Sequence, residues 1–146
     1  MKAYADTSFL VSLYVPDTHS QAAAAAMKRV TETVLITALC EVELMNAIQL
    51  RVFRKELSAH QAGQAARAFE EDLSAGVFHL EPVAVAVYER AKRLSARHTP
   101  TLGVRSIDLL HVAAALVLGV QALCTFDLNQ RKLAGAVGLA LRPAKL

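Results

Sequence analysis

Lys2-Ala3-Tyr4-Ala5-Asp6-Thr7-Ser8 is the stretch on which the reading of this chain turns. It is mostly apolar, ends in an acid, and adds two hydroxyl residues. Apolar residues resume at once in Phe9-Leu10-Val11-Ser12-Leu13. The pattern predicts a buried strand over residues 1–6 that turns directly into a helix reaching about Tyr14, capped by Thr7 or Ser8. The Asp6 carboxylate then stands at the strand's C-terminal end. That edge is where open parallel α/β sheets bind ligands.

Outward from this stretch, strands and helices alternate. Pro16-Asp17-Thr18-His19 reads as a turn with Asp17 or Thr18 as N-cap, followed by an alanine-rich helix over 20–30. The β-branched run 34–37 is a second strand. Helices are expected over 39–54 and 57–73, the latter stopped by Gly76. A third strand covers 77–80, and Pro82 suits the first turn of a helix to about Arg97. Residues 98–103 read as a loop around Pro100 and Gly103. Ser106 caps a helix running to Val120 that is apolar all round and therefore central and buried. A fourth strand over 122–126 ends at Asp127; a short helix, 129–137, and a strand, 139–141, complete the chain. This alternation predicts a single α/β domain over 1–146, with a parallel sheet covered on both faces.

Composition narrows the function classes. A chain of 146 residues that is 54% hydrophobic and 20% charged folds as one globular domain. Cys40 and Cys124 show no metal-like spacing and no disulfide framework, which suggests a reduced cytosolic protein. The longest apolar run, 109–120, contains His111 and falls short of the roughly 17 residues a membrane span needs. Asp6 interrupts any signal-like h-region, so no N-terminal signal is expected. A pI of about 9.1 permits an anionic partner without demanding one.

Four acids fall at significant positions. Asp6 and Asp127 end strands, and Glu43 lies in the first turns of the helix after the second strand. Asp108 lies in the first turn of the buried helix and joins the others if that helix starts at the same edge. Carboxylates brought together repel, and burial makes each costly to ionise. A divalent cation removes both problems, and oxygen-only ligands suit Mg2+ or Mn2+ better than zinc. Such a site can activate water and hold a phosphate oxygen. Each acid also has a plainer reading. Asp108 can simply favour the helix dipole, Glu41 competes with Glu43, and Asn129 competes with Asp127. Asn46, one turn on, can orient Glu43. Thr7, Ser8 and Thr125 read as caps or turn residues that can also bond the carboxylates. His111 reads as a packed core histidine rather than a base.

Tyr4-Ala5-Asp6-Thr7-Ser8, Glu43 in Glu-Leu-Met-Asn-Ala, Arg105-Ser106-Ile107-Asp108-Leu109-Leu110-His111 and Thr125-Phe126-Asp127 together resemble the four acidic motifs of PIN-domain ribonucleases. The resemblance covers essentially the whole chain, and its small size is similar to VapC-type toxins of toxin–antitoxin pairs. It implies a three-layer α/β/α sandwich and RNA cleavage dependent on magnesium or manganese. It also implies metal-binding roles for Asp6, Glu43, Asp108 and Asp127, homodimers and a cognate antitoxin. The last motif departs from the commoner Thr-x-Asp-x-Asp, with Asn129 where a further acid sometimes stands.

The basic residues suit an RNA partner. Sixteen Lys and Arg face nine acids once those four are set aside; Arg51, Arg54 and Lys55 lie beyond Glu43 on its helix, and Arg97 and Arg105 flank the loop before Asp108. Phosphate contacts of this kind give affinity without sequence choice. Apolar surface around Leu44, Ile48 and Val52 is expected to take an amphipathic antitoxin segment. Two other classes remain open. A haloacid-dehalogenase-like phosphatase would use Asp6 as nucleophile, but Ser8 stands where its second acid belongs. A catalytically inactive PIN-fold binding module would lose the acids that this chain keeps.

Overall fold

The computed structural model describes residues 2–146. Its order is β1 (Ala3–Ala5), α1 (Thr7–Tyr14), α2 (Ser20–Lys28), β2 (Val34–Thr37), α3 (Ala38–Phe53), α4 (Ala59–Ser74), β3 (Phe78–Glu81), α5 (Val85–Leu102), α6 (Ser106–Val117), β4 (Ala122–Cys124), α7 (Leu128–Ala136) and β5 (Ala140–Arg142). The strands form one sheet in the order β3-β2-β1-β4-β5, every pair parallel. Helices α1 to α4 pack on one another, and α5 to α7 pack among themselves. Right-handed crossovers put these two groups on opposite faces of the sheet. The result is the expected three-layer α/β/α sandwich. Sequence order reverses between β1 and β4, so the topological switch point lies beside Asp6 and the turn after Cys124.

The core is aliphatic with aromatic inserts. Tyr4, Phe9, Leu10, Ile36, Leu44, Ile48, Leu123 and Leu133 are fully or almost fully buried. Each large apolar side chain contributes about 1.5–3 kcal/mol by leaving water. Phe9 stacks on Phe126 with ring centroids 5.6 Å apart, joining α1 to the turn after β4. Cys40 and Cys124 are buried free thiols. No helix among the described residues is long and apolar enough to cross a membrane.

Several boundaries differ from expectation. The first strand is shorter than 1–6, and Met1 lies outside the described residues. Residues 98–102 are not a loop, because α5 runs through Pro100 to Leu102. A proline in the last turn deletes one backbone bond, a cost that the packing of α5 along α6 offsets. The true stop is Gly103 at φ +63°, whose N–H bonds to the Thr99 carbonyl. Pro82 precedes α5 rather than lying in its first turn. Helix α6 ends at Val117 because Gly119, at φ +70°, closes it: Gly119 N–H bonds to Leu116 and Val120 N–H to Ala115. Strand β4 stops at Cys124 because the chain turns toward α1, where the Phe126 N–H bonds to Ser8 Oγ at 3.0 Å.

Candidate active site

Asp6 is the cap of α1, a role expected of Thr7 or Ser8. Its backbone is extended, its Oδ1 accepts the Phe9 N–H at 2.9 Å, and it has no accessible surface. The following hydroxyls are thereby free for other work. Ser8 Oγ donates to Asp6 Oδ1 at 2.7 Å, and Thr125 Oγ1 donates to Asp6 Oδ2 at 2.5 Å from across the switch point. The Asp127 N–H bonds to the same Thr125 oxygen at 3.0 Å. Two hydroxyls therefore brace the ends of β1 and β4 together. Burial raises the Asp6 pKa, although the charge of His111 and three hydrogen bonds oppose it.

Glu43 projects from α3, in the other helical layer from α6. Its Oε1 accepts Thr7 Oγ1 at 2.7 Å and lies 2.5 Å from His111 Nε2. His111 is buried, and its Nδ1 lies 2.8 Å from the Tyr4 hydroxyl. That hydroxyl also lies 3.0 Å from Thr37 Oγ1 and 3.0 Å from Cys40 Sγ. A buried polar chain thus runs from β2 through Tyr4 and His111 to Glu43. Burial would lower the His111 pKa; its bonds to Cys40 and Glu43 and the charge of Asp6 reverse this and push it up to about 10. Burial raises Glu43, but the His111 bond and charge, the Thr7 hydroxyl and Arg105 outweigh it and hold Glu43 below its ordinary value.

Asp108 and Asp127 share one guanidinium. Arg105 Nε donates to Asp108 Oδ2 at 3.1 Å, and Nη2 donates to Asp108 Oδ1 at 3.2 Å and to Asp127 Oδ2 at 3.1 Å. Asp108 is fully buried in the first turn of α6, so that helix does start at the acidic edge. Asp127 caps α7, its Oδ1 accepting the Gln130 N–H at 3.0 Å. Arg105 also acts electrostatically on Glu43, and His111 on Asp6. All four acids are therefore linked through two cations of the chain itself. Among the described residues, no three His, Cys, Asp or Glu side chains already form a metal-binding cluster.

The roles expected of Thr7, Ser8 and Thr125 as partners of the carboxylates are borne out. Other details differ. Asn46 is exposed and makes no hydrogen bond to Glu43 among the described residues. Glu41 faces a groove of about 530 Å3 between α3 and α4, with Val42, Met45, Gln49 and Phe69. Leu44 and Ile48 do not line that groove; they are buried, because the apolar stripe of α3 turns them to the core. Arg51 pairs with Glu56, away from the acids. His111 is the partner that sequence reading missed, because an i, i+3 spacing from Asp108 signals a shared helix face but not a target on α3. Arg105 was noted for its charge alone; its position three residues before Asp108 was the available signal.

No curated protein matches the chain. Among solved structures, it is similar to the Mycobacterium tuberculosis toxin VapC20, which cleaves the sarcin-ricin loop. That match has a TM-score of 0.71 at 23% identity, over 97% of this chain and 99% of the other. A toxin–antitoxin complex from Klebsiella pneumoniae matches with a TM-score of 0.67 at 19% identity, covering 94% of each chain. VapBC2 from Rickettsia felis, bound to a DNA fragment from its promoter, gives 0.67 at 16% identity, with 97% of each covered. At these identities the likeness establishes the fold. The sequence pattern of the PIN domain matches residues 3–136. Because that match runs from the start of β1 to the end of α7, the chain belongs to the PIN domain family.

Proposed function

We propose that this chain is a Mg2+- or Mn2+-dependent endoribonuclease and the toxin of a toxin–antitoxin pair. The observation that carries this reading is the gathering of Asp6, Glu43, Asp108 and Asp127 around Arg105 and His111 at the switch-point edge. Membership of the PIN domain family supports the nuclease chemistry. The toxin VapC20 and the toxin–antitoxin complexes that share the fold support the biological role.

The donor set fits a hard cation. All four acids offer oxygen, and two of them already hold a positive charge in Arg105. Asp6, Glu43, Asp108 and Asp127 would hold the metal once Arg105 releases Asp108 and Asp127. The bound ion would supply an activated water and charge stabilisation at a phosphate oxygen. The released guanidinium, more than half exposed, can then pair with a phosphate of RNA. Ser8 and Thr125 hold Asp6 in place, and Thr7 holds Glu43. A phosphatase reading with Asp6 as nucleophile is disfavoured because Ser8, bonded to Asp6, stands where its second acid belongs.

A cognate antitoxin, a homodimeric state and a cytoplasmic setting belong to the same reading. The groove between α3 and α4 is the surface offered to an amphipathic antitoxin segment. The test has two arms. Purified protein should cleave RNA only with Mg2+ or Mn2+, and Asp6→Asn should not. Expression alone should arrest growth, and co-expression of the neighbouring small protein should restore it. Folded, metal-bound wild-type protein that leaves RNA and growth untouched would overturn the proposal.

A further inference from the structure

The four acids differ in what fixes them. Asp6 follows directly on β1, Asp127 lies in the turn after β4, and both are pinned as helix caps. Asp108 is immobilised by burial in the first turn of α6. Glu43 has neither support. It sits on a helix surface, its side chain is 29% exposed, and it carries one more rotatable bond than the aspartates. Its two fixed bonds, from Thr7 Oγ1 and His111 Nε2, both go to Oε1. Oε2 makes no hydrogen bond among the described residues. His111 is itself held from behind, through Nδ1, by a Tyr4 hydroxyl that also meets Thr37 and Cys40.

We infer that His111, locked by Tyr4, is a positioning residue: it clamps Oε1 of Glu43 and reserves Oε2 for the divalent cation. The inference rests on the metal-dependent reading above. The arrangement joins the two helical layers, because α6 supplies the clamp and α3 the ligand. Orienting partners of this kind commonly change metal affinity or activity by about 10–100-fold when removed. Plain packing would not require a hydrogen bond at each ring nitrogen, nor two donors on one carboxylate oxygen.

Calorimetric titration of Mn2+ into wild type, His111→Leu, His111→Gln and Tyr4→Phe tests this, with RNA cleavage kinetics alongside. His111→Leu keeps the apolar bulk and should weaken Mn2+ binding by about 10–100-fold. It should lower kcat while leaving KM for RNA near wild type. His111→Gln, which keeps an N–H donor, should recover most of the affinity. Tyr4→Phe, which removes only the rear hydroxyl, should weaken binding several-fold and stands as the test if His111→Leu does not fold. Wild-type Mn2+ affinity in folded His111→Leu, or in Tyr4→Phe where His111→Leu does not fold, would overturn the clamp. A wild-type protein that binds no Mn2+ would instead overturn the metal-dependent reading beneath it.

Discussion

Arg105 and Asp127 stand 22 residues apart in the chain, yet Nη2 of the first lies 3.1 Å from Oδ2 of the second. The same guanidinium grips Asp108. The protein therefore carries its own cation over two of its acids, and that cation would compete with a metal bound there. In Arg105→Gln the metal-free protein should melt earlier, since Asp108 and Asp127 lose their shared partner. Its gain on adding manganese should exceed that of wild type. A ligand at one hundred times its Kd stabilises by about 2.7 kcal/mol, roughly 5–10 °C in a domain of this size. Thermal melts with and without millimolar manganese measure both effects; an unchanged gain would exclude the competition.

Asp6→Asn separates charge from architecture. Asparagine caps helices about as well as aspartate, and it removes a charge whose ionisation burial opposes. Stability should stay within about 1 kcal/mol of wild type, an estimate from comparable cap exchanges. Activity should fall by more than the roughly 100-fold that loss of an outer partner costs. Chemical denaturation and an RNA cleavage assay on the same preparation decide between a lost site and a lost fold.

Metal-free stability should fall at alkaline pH. His111 titrates at an ordinary value of 6.5 when unfolded and at about 10 when folded. Its stabilising contribution is complete below about 6.5 and is lost as pH climbs through 10. Glu43, shifted downward, contributes above its ordinary value and loses that contribution only in acid. The raised Asp6 pKa acts in the opposite sense: burial favours its protonated form, and that benefit is gone once pH has risen past the folded value. Denaturant midpoints between pH 7 and 10 should decline in wild type, and much less in His111→Leu.

Helix α3 offers a packing test. Leu44 is fully buried, whereas Val42 is 68% exposed. Leu44→Ala should cost about 2–5 kcal/mol, and Val42→Ala should stay within about 0.5 kcal/mol. Val42→Ala should nevertheless weaken antitoxin capture if the groove between α3 and α4 is the docking surface. Equal stability losses would mean that α3 is rotated from the orientation described.

The layered fold was legible because the central strands are compact apolar runs closed by a polar turn, as Val34–Thr37 and Ala122–Cys124 show. The acids at strand ends were legible for the same reason. Pro100 misled because local punctuation argued for a loop, whereas the long contact of α5 with α6 is a tertiary effect. His111 was read as core and is buried, but its bonds to Tyr4 and Glu43 cross 107 and 68 residues of chain. No spacing rule in one sequence reports such pairings. The assignment of Leu44 and Ile48 to a docking face failed through phase: an apolar residue on an amphipathic helix faces the core by default.

Two connections at the acidic edge are very short. One residue, Asp6, separates β1 from α1, and β2 runs into α3 with none between. On the opposite edge, residues 29–33 link α2 to β2 and residues 118–121 link α6 to β4. Most enzymes of layered architecture diversify by lengthening loops around a fixed scaffold. Here an inserted residue after β1 or β2 would shift Asp6 or Glu43 out of register with its partners. Insertions are therefore expected to be tolerated better at the far edge than at these two junctions.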